Sequence, residues 1–214
     1  MRLILLGAPG AGKGTIAEII RARLNIPTIS TGNILREAIL NRTKLGRVAK
    51  PYIDAGKLVP DNVIIELIKN RLSEADCKNG FILDGVPRTA AQAAALDEIG
   101  LNIDAVLMVE ASDEVIERRL SGRRVCKCCG ATYHLKNKPP RKENQCDSCG
   151  GALVRRADDT PEIIRDRLKV YHDKTKPLIE YYSNKDILLT VDGQKNIEET
   201  KDHVFSVLGI MERL

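Results

Sequence analysis

The feature that most constrains the fold of this chain is a glycine-rich segment, residues 7–13, which reads GAPGAGK. It lies between an apolar run, Arg2–Leu6, and a segment of helical periodicity, Lys13–Leu24. Glycines in such a strand–loop–helix unit let successive backbone N–H groups face phosphate oxygens, and the helix N-terminus adds partial positive charge. The final lysine can then reach the β- and γ-phosphates of a nucleotide. The unit therefore predicts a phosphate-binding loop.

Strand-type and helix-type segments alternate along the rest of the 214 residues. Apolar, β-branched runs predict further strands at 26–30, 80–84, 105–110 and 187–191. Helical periodicity predicts helices at 32–41, 45–55, 61–74, 89–99, 112–121, 160–182 and 196–208. Because alternating strands and helices form parallel sheets covered on both faces, the predicted class is α/β, a phosphate-loop NTPase core with a central parallel sheet flanked by helices.

Composition restricts the partners. The formal charge of +5 favours a polyanionic partner, either nucleotide phosphates or nucleic acid. Aromatic residues make up only 3% of the chain, and single-strand binders stack bases on aromatic rings, so we expect no nucleic acid partner. The N-terminal apolar run is too short for a signal peptide, and no stretch approaches the ~18–20 apolar residues of a membrane span. We therefore expect a cytoplasmic protein without a membrane partner.

The segment 125–154 is rich in Cys, Gly, Lys and Pro and has weak periodicity. Two Cys-x₂-Cys pairs in it have the spacing of a zinc ribbon: Cys126, Cys129, Cys146 and Cys149. Four thiolates would close the tetrahedron around the metal, so the predicted zinc is structural. Disulfides are the alternative, which a reducing compartment disfavours. We expect Cys128 to be a bystander that could substitute for a neighbour, and Cys77 to be buried.

Several motifs together resemble the adenylate kinases and related nucleoside monophosphate kinases over nearly the whole chain. They are GAPGAGKGT at 7–15, ISTGNILR at 29–36, GKLVPD at 56–61, DGVPRT at 84–89, ERRLSGRR at 117–124 and RRADDTPEIIRDR at 155–167. The resemblance implies a monomer that reversibly transfers the γ-phosphoryl of Mg·ATP to AMP, giving two ADP, for adenine nucleotide homeostasis. It also implies a core (1–29, 60–121, 160–214), a helical AMP-binding insert (30–59) and a zinc-binding lid (122–159).

The same resemblance implies roles for individual residues. Those implied at ATP are Gly10, Ala11, Gly12, Lys13, Gly14, Thr15, Arg119, Arg123, Thr132, Tyr133 and Lys195. Those implied at AMP are Thr31, Arg36, Lys57, Leu58, Val59, Gly85, Val86, Pro87, Arg88, Gln92, Arg156 and Arg167. The catalytic set is Lys13, Arg88, Arg123, Arg156 and Arg167, which neutralise phosphate charge, with Asp84 ordering Mg²⁺ through its water shell. Asp158 and Asp159 are implied to position the lid arginines.

Three positions depart from the usual patterns. Gly14 stands where phosphate-binding loops normally have a Ser or Thr that holds Mg²⁺. Asn33 replaces an aspartate of the family, which removes one acidic contact from the metal's water shell, so it bears on Mg²⁺ binding. Val86 replaces a phenylalanine and removes an aromatic wall near the acceptor, so it bears on AMP affinity and base selectivity.

Two other functions are compatible with parts of the sequence. A kinase for UMP, CMP or GMP would share the loop and the arginines, although Thr31, Gln92 and the long ribbon favour AMP. A zinc-ribbon nucleic-acid binder that uses ATP as a switch would leave the acceptor-side arginine motifs without a role. The histidines, His134, His172 and His203, are scattered, and we expect none of them to bind metal or transfer protons.

Overall fold

The computed structural model describes residues 1–194 and 196–210. The strands are β1 (Arg2–Leu6), β2 (Thr28–Ser30), β3 (Phe81–Asp84), β4 (Ala105–Glu110), β5 (Arg123–Cys126), β6 (Thr132–His134), β7 (Leu153–Val154) and β8 (Leu188–Asp192). The helices are α1 (Lys13–Leu24), α2 (Thr31–Leu40), α3 (Lys44–Asp54), α4 (Asp61–Leu72), α5 (Ala90–Glu98), α6 (Asp113–Gly122), α7 (Pro161–Val170), α8 (Leu178–Ser183) and α9 (Ile197–Val207).

Five strands form one parallel sheet in the order β2-β3-β1-β4-β8. In this register Leu5 of β1 lies beside Asp84, the last residue of β3. The carboxyl ends of parallel strands meet at one edge of a sheet, which is where open α/β sheets bind ligands. The glycine-rich loop and Asp84 therefore share this edge, and the predicted α/β fold is confirmed.

Alternating side chains of the sheet supply two hydrophobic cores. Ile4 and Leu6 of β1 pack into the core that includes α4 and α5, whereas Leu3 and Leu5 pack into the core that includes α1 and α9. All four side chains are at most 2% exposed. Because successive residues of a strand face opposite sides, an unbroken apolar strand requires helices on both faces, as the sequence predicted.

Two smaller substructures extend from this core. Helices α2 and α3 form a hairpin between β2 and α4, and Thr43 caps α3 by accepting a hydrogen bond from the Gly46 N–H at 3.0 Å. Strands β5, β6 and β7 form a separate antiparallel sheet in the order β6-β5-β7. Among the residues that the structure describes, its buried cluster consists of Cys126, Tyr133, Cys146 and Leu153, with Ala131 packed against it. Such a small cluster is typical of a unit that needs a metal or a cross-link to fold.

The structure corrects the predicted helix at 160–182. That segment is divided into α7, a wider π-helical turn over Tyr171–Thr175, and α8. The reason is Pro177, which has no N–H to donate and whose ring would clash with a carbonyl four residues earlier. The Lys176 N–H instead bonds five residues back, to Tyr171 O at 2.9 Å. Within the part of the chain that the structure describes, no helix has the length and apolar character needed to cross a membrane.

Candidate active site

The glycine-rich loop has a backbone that other residues could not adopt. Gly7 has φ of 138°, and a Cβ there would lie 2.5 Å from the carbonyl oxygen of Val109 on the neighbouring strand. Gly12, with φ of 117°, makes the turn into α1, which begins at Lys13. These conformations are unfavourable for residues with a Cβ. The loop thus brings backbone N–H groups and a helix N-terminus to the same edge of the sheet.

Lys13 lies partly buried inside this loop. Its Nζ donates hydrogen bonds to the carbonyl oxygens of Gly7 at 2.7 Å and Ala8 at 2.8 Å. Burial lowers the pKa of the Lys13 ammonium to about 8, and Arg88 adds to this effect while Asp84 opposes it. A negatively charged ligand beside the Lys13 ammonium would raise its pKa again.

A cavity of about 440 Å³ opens above the loop, within the range of ligand-binding clefts. Ten of the residues predicted to bind ATP line it: Gly10, Ala11, Gly12, Lys13, Gly14, Thr15, Arg119, Arg123, Thr132 and Tyr133. Lys195 lies outside the described residues. Predicted acceptor-side and catalytic residues line the same cavity: Arg36, Leu58, Asp84, Gly85, Pro87, Arg88, Arg156 and Arg167.

A smaller cavity of about 70 Å³ lies beside the first, between α2, α4 and the carboxyl end of β3. Predicted acceptor residues line it: Thr31, Arg36, Lys57, Leu58, Val59, Gly85, Arg88, Gln92 and Arg167. Val86 lines neither cavity, because its side chain is 1% exposed and belongs to the hydrophobic core. Its neighbours in the chain, Gly85 and Pro87, carry the backbone that faces the cleft.

Two buried carboxylates, Asp158 and Asp159, pair with three of the cleft arginines. Asp159, which is 0% exposed, accepts hydrogen bonds from Arg123 Nε at 2.8 Å and Arg123 Nη2 at 2.5 Å. It also pairs with Arg167 Nη1 at 3.2 Å. Asp158 lies 3.1 Å from Arg167 and 3.9 Å from Arg36. The bidentate pairing fixes the Arg123 guanidinium plane as well as its position.

Positive groups still outnumber acidic ones in this cleft. Burial lowers the pKa of Arg88, and the neighbouring Arg167 lowers it further. Arg156 is affected in the same way, by burial first and then by Arg123 and Arg36. Its buried Nε also has no hydrogen-bond partner among the described residues. Clustered, partly unpaired guanidinium groups are costly in an empty cleft, so this arrangement indicates an anionic ligand.

The acceptor side is held by bonds to the segment after β3. Thr31 Oγ1 donates to Gly85 O at 3.0 Å, and Arg88 Nε donates to the same carbonyl at 2.8 Å. Ser30 Oγ donates to the carboxylate of Asp84 at 3.3 Å. Thr31 and Arg88 therefore meet through one shared carbonyl at the mouth of the smaller cavity.

Sequence reasoning missed two residues that support Arg88 and Gln92. Asp61 accepts hydrogen bonds from Gln92 Nε2 at 2.7 Å and Thr89 Oγ1 at 3.0 Å. Thr175 Oγ1 donates to Arg88 O at 2.9 Å. In the sequence Asp61 was only a helix start and the last residue of the GKLVPD motif, and neither feature indicated a contact with Gln92.

The four predicted zinc ligands converge in the small sheet. Their Sγ atoms all lie within 4.8 Å of one another, with Cys126 and Cys149 at 3.4 Å and Cys129 and Cys146 at 3.5 Å. Cys128 contributes only a backbone N–H to Cys126 Sγ, at 3.4 Å. The hydroxyl of Tyr133 lies 3.5 Å from Cys146 Sγ, and Tyr133 also lines the large cavity. Through Tyr133 the cysteine cluster therefore contacts the cleft.

Comparison with known proteins identifies the family. A sequence model described as adenylate kinase matches residues 5–187. The chain belongs to the adenylate kinase family. A relative from Caldicellulosiruptor saccharolyticus is 56% identical over 214 residues, which cover 98% of this chain and 100% of the relative. Relatives from Clostridium tetani and Methanosarcina acetivorans are 54% and 53% identical over 213 residues, each covering 98% of this chain and 99% of the relative. All three are named adenylate kinase.

Membership of the adenylate kinase family confirms the resemblance seen in the sequence. It makes the chain a nucleoside monophosphate kinase, a phosphotransferase, with adenylate kinase function. Neither a nucleic-acid switch nor a kinase for another base is named among these three relatives.

Asn33, where the sequence departs from the usual adenylate kinase pattern, has a partner in the cleft. Its Oδ1 accepts a hydrogen bond from Arg36 Nη2 at 2.8 Å. A neutral amide orients this guanidinium without cancelling its charge, whereas an aspartate would form a charge-assisted pair with it. The substitution therefore leaves Arg36 with more net charge for a ligand phosphate.

Proposed function

We propose that this chain catalyses the reversible Mg²⁺-dependent reaction of ATP and AMP to two ADP, and thereby balances adenine nucleotides. The observation that carries the proposal is one cleft in which Lys13 of the phosphate-binding loop and the arginines of the acceptor side converge. The larger cavity is lined from both the donor and the acceptor side, and the smaller one adjoins it beside the DGVPRT segment, where we place the acceptor base.

On the donor side, the loop 10–15 and Lys13 would hold the β- and γ-phosphates of ATP. Arg119 lies against the loop, because its Nη1 donates to Ala11 O at 3.0 Å, and we assign it to the ATP adenine with Thr132 and Tyr133 of β6. Lys195 is assigned to the same base from its position in the sequence.

On the acceptor side, Arg36, Arg88, Arg156 and Arg167 would bind the phosphate of AMP. Thr31, Gln92 and the backbone at 57–59, Gly85 and Pro87 would enclose its ribose and adenine. The apolar side chains of Leu58 and Val59, together with backbone polar groups, supply walls suited to a purine.

In the transfer step, a phosphate oxygen of AMP attacks the γ-phosphorus in line, and the bond from that phosphorus to the β–γ bridging oxygen breaks. ADP leaves with this oxygen, so neither a side-chain nucleophile nor a strong base is needed. Lys13, Arg123, Arg156 and Arg167 stabilise the charge on the transferring group. Mg²⁺ bound with ATP would neutralise part of the phosphate charge, and Asp84, placed at the end of β3, would hold its water shell.

The four cysteines fit a structural zinc ion. Tetrahedral Zn–S bonds of about 2.3 Å place sulfur atoms about 3.8 Å apart, close to the observed separations. We propose that zinc at Cys126, Cys129, Cys146 and Cys149 folds a lid, residues 122–159, and that this lid and the AMP-binding insert, 30–59, close on the core, 1–29, 60–121 and 160–214. Closure would exclude water, which would otherwise accept the phosphoryl group.

We further propose that the enzyme works as a monomer in the cytoplasm. One chain supplies the lining of both cavities, so the proposed chemistry needs no second copy. A reducing compartment would keep the four thiols available for zinc.

The acceptor assignment is tested by ADP formation from Mg·ATP with and without AMP. We expect strict dependence on AMP, and we expect Arg88→Ala to lower kcat/KM for AMP about 10²-fold because a buried bidentate phosphate contact is lost. The KM for ATP should change little. Arg118→Ala, an exposed arginine on α6, is the matched control and should behave as wild type. ADP formation without AMP, or an AMP dependence that Arg88→Ala leaves intact, would contradict the proposal.

The pKa of Lys13 predicts a pH dependence of ATP affinity. Burial lowers this pKa from the ordinary value of 10.5 to about 8, and bound phosphates would raise it. ATP binding then takes up a proton above pH 8, so affinity should fall as the pH rises past 8. The effect of pH on folding has the opposite sign. Between pH 8 and 10.5, Lys13 binds more protons in the unfolded chain than in the folded, ligand-free chain. The destabilisation caused by the Lys13 ammonium therefore decreases as the pH rises.

Calorimetric titration of ATP at pH 8.5 to 9 in two buffers of different ionisation enthalpy measures that proton uptake. Lys13→Met should abolish the share that belongs to this lysine. Equal proton uptake in wild type and Lys13→Met would show that another group is responsible.

A further inference from the structure

The amide of Gln92 is held at both ends in one orientation. Its Oε1 accepts a hydrogen bond from the Arg88 backbone N–H at 2.7 Å, and its Nε2 donates to Asp61 Oδ1 at 2.7 Å. A backbone N–H only donates and a carboxylate only accepts, so a flipped amide would lose both bonds. The side chain is 2% exposed and lines the smaller cavity. The order of acceptor and donor on its amide is therefore fixed.

Asp61 is itself fixed by a second bond. Its other oxygen, Oδ2, accepts from Thr89 Oγ1 at 3.0 Å, and the same Thr89 hydroxyl accepts from the Gln92 N–H at 3.1 Å. Thr89 is the N-cap of α5, and Asp61 is the first residue of α4. Two helix starts are thus joined through one carboxylate, and this junction sets the Gln92 amide.

The amide retains hydrogen-bonding capacity for a ligand. Oε1 has a second lone pair, and Nε2 has a second hydrogen. Carboxamides recognise purines through such an acceptor–donor pair, since one base edge carries both partners. A 6-aminopurine presents a donor at position 6 beside an acceptor at N1. A 6-oxopurine presents the reverse, an acceptor at position 6 beside a donor at N1, which would suit only the flipped amide.

We propose that Asp61 is a specificity-determining positioning residue, which locks the Gln92 amide so that a 6-amino nucleoside monophosphate is accepted and a 6-oxo one is rejected. This inference rests on the proposed function, because that function places the acceptor base in the smaller cavity. Asp61 acts through Gln92 and does not touch the substrate itself. The discrimination arises because the wrong base leaves buried donors and acceptors unpaired.

The test compares kcat/KM for AMP and for inosine monophosphate, a 6-oxopurine acceptor, with Mg·ATP as donor. In Asp61→Asn the new side chain can donate as well as accept, so a flipped Gln92 amide loses only its bond to the Arg88 N–H instead of both bonds. We expect the AMP-to-inosine ratio to fall about 10-fold, the value of one net hydrogen bond. The KM for ATP should not move. Asp61→Leu, which removes the acceptor altogether, is the second variant should Asp61→Asn fail to fold.

Asp113→Asn is the matched control. Asp113 is also the first residue of its helix, α6, but its carboxylate faces His172, at 2.9 Å, outside the cleft. The AMP-to-inosine ratio of kcat/KM in Asp113→Asn should equal that of wild type. The double variant Asp61→Asn/Gln92→Leu should show the ratio of Gln92→Leu alone, because Asp61 acts only through the amide.

Three outcomes overturn the inference. If kcat/KM for AMP and for inosine monophosphate fall together in both Asp61 variants, so that their ratio is unchanged, Asp61 has a purely structural role. A further drop in the double variant shows that Asp61 acts by another route. Wild-type enzyme that transfers no phosphoryl group to AMP overturns the proposed function, and the inference with it.

Discussion

Replacing Lys13 with methionine is expected to lower kcat/KM for ATP about 10³-fold while the chain remains folded. The ammonium belongs to the lysine that ends the glycine-rich loop, and its bonds to Gly7 O and Ala8 O hold it where we propose that the phosphates bind. Methionine has a similar length without the charge. The loss should appear mainly in kcat, because charge on the transferring group grows in the transition state.

Stability should change much less than activity. Lys13 is a partly buried cation near Arg88, Arg167 and Arg123, so its removal relieves repulsion while it leaves two loop carbonyls unpaired. Thermal unfolding monitored beside the kinetics separates the two effects. Lys69→Met, at an exposed position of α4, is the matched control and should keep full activity. A Lys13→Met enzyme within about threefold of wild type would remove this lysine from the charge stabilisation assigned to it.

Local patterns predicted the sheet well because each strand is set by its own residues. The unbroken apolar run Arg2–Leu6 requires helices on both faces, and the structure has them. The glycines of the loop likewise predicted its conformation, in which Gly7, Gly10 and Gly12 have positive φ. The division of the predicted helix 160–182 shows the limit of periodicity, since the pattern continues through Pro177 although the backbone hydrogen bonds cannot.

Pairings between distant residues were beyond the sequence. Asp61 and Gln92 are 31 positions apart, and Arg123 and Asp159 are 36 apart, so neither partner identifies the other without the fold. The resemblance supplied the arginines as individual residues. It also implied that Asp158 and Asp159 position the lid arginines, but not which arginine each carboxylate holds, nor the burial that lowers the pKa of Lys13 and Arg156.

Tyr133 shows how one residue can serve two neighbouring sites. The sequence assigned it to ATP by resemblance alone. In the structure its hydroxyl accepts from the Asp147 N–H at 2.8 Å and contacts Cys146 Sγ. The side chain is 5% exposed. The order of the cysteine cluster is thereby coupled to the wall of the cleft, and this coupling would make a zinc ion at the cluster relevant to catalysis without any contact between the ion and the phosphates.

Removing zinc is therefore expected to unfold the lid and nearly abolish activity. The buried cluster of the small sheet has only Cys126, Tyr133, Cys146 and Leu153, and two of these are proposed ligands. Structural zinc contributes about 10–16 kcal/mol to the folding of comparable zinc-finger units, so the lid should not stay ordered without it. Arg123 and Arg156, which flank the ribbon, would then lose their positions, and we expect kcat/KM for ATP to fall at least about 10²-fold.

Cys146→Ser tests this expectation in the whole chain. Metal analysis should change from one zinc per chain to a small fraction of that. Hydrogen exchange should show lost protection at residues 122–159, with protection retained in the five-stranded sheet. The paired control is Cys128→Ser, at the exposed thiol that supplies only a backbone contact to the cluster. It should keep its zinc and its activity, and equal damage from both variants would show that the ligand set is wrong. Zinc-free native enzyme with two disulfides by mass would overturn the metal assignment, because oxidised sulfurs cannot act as thiolate ligands.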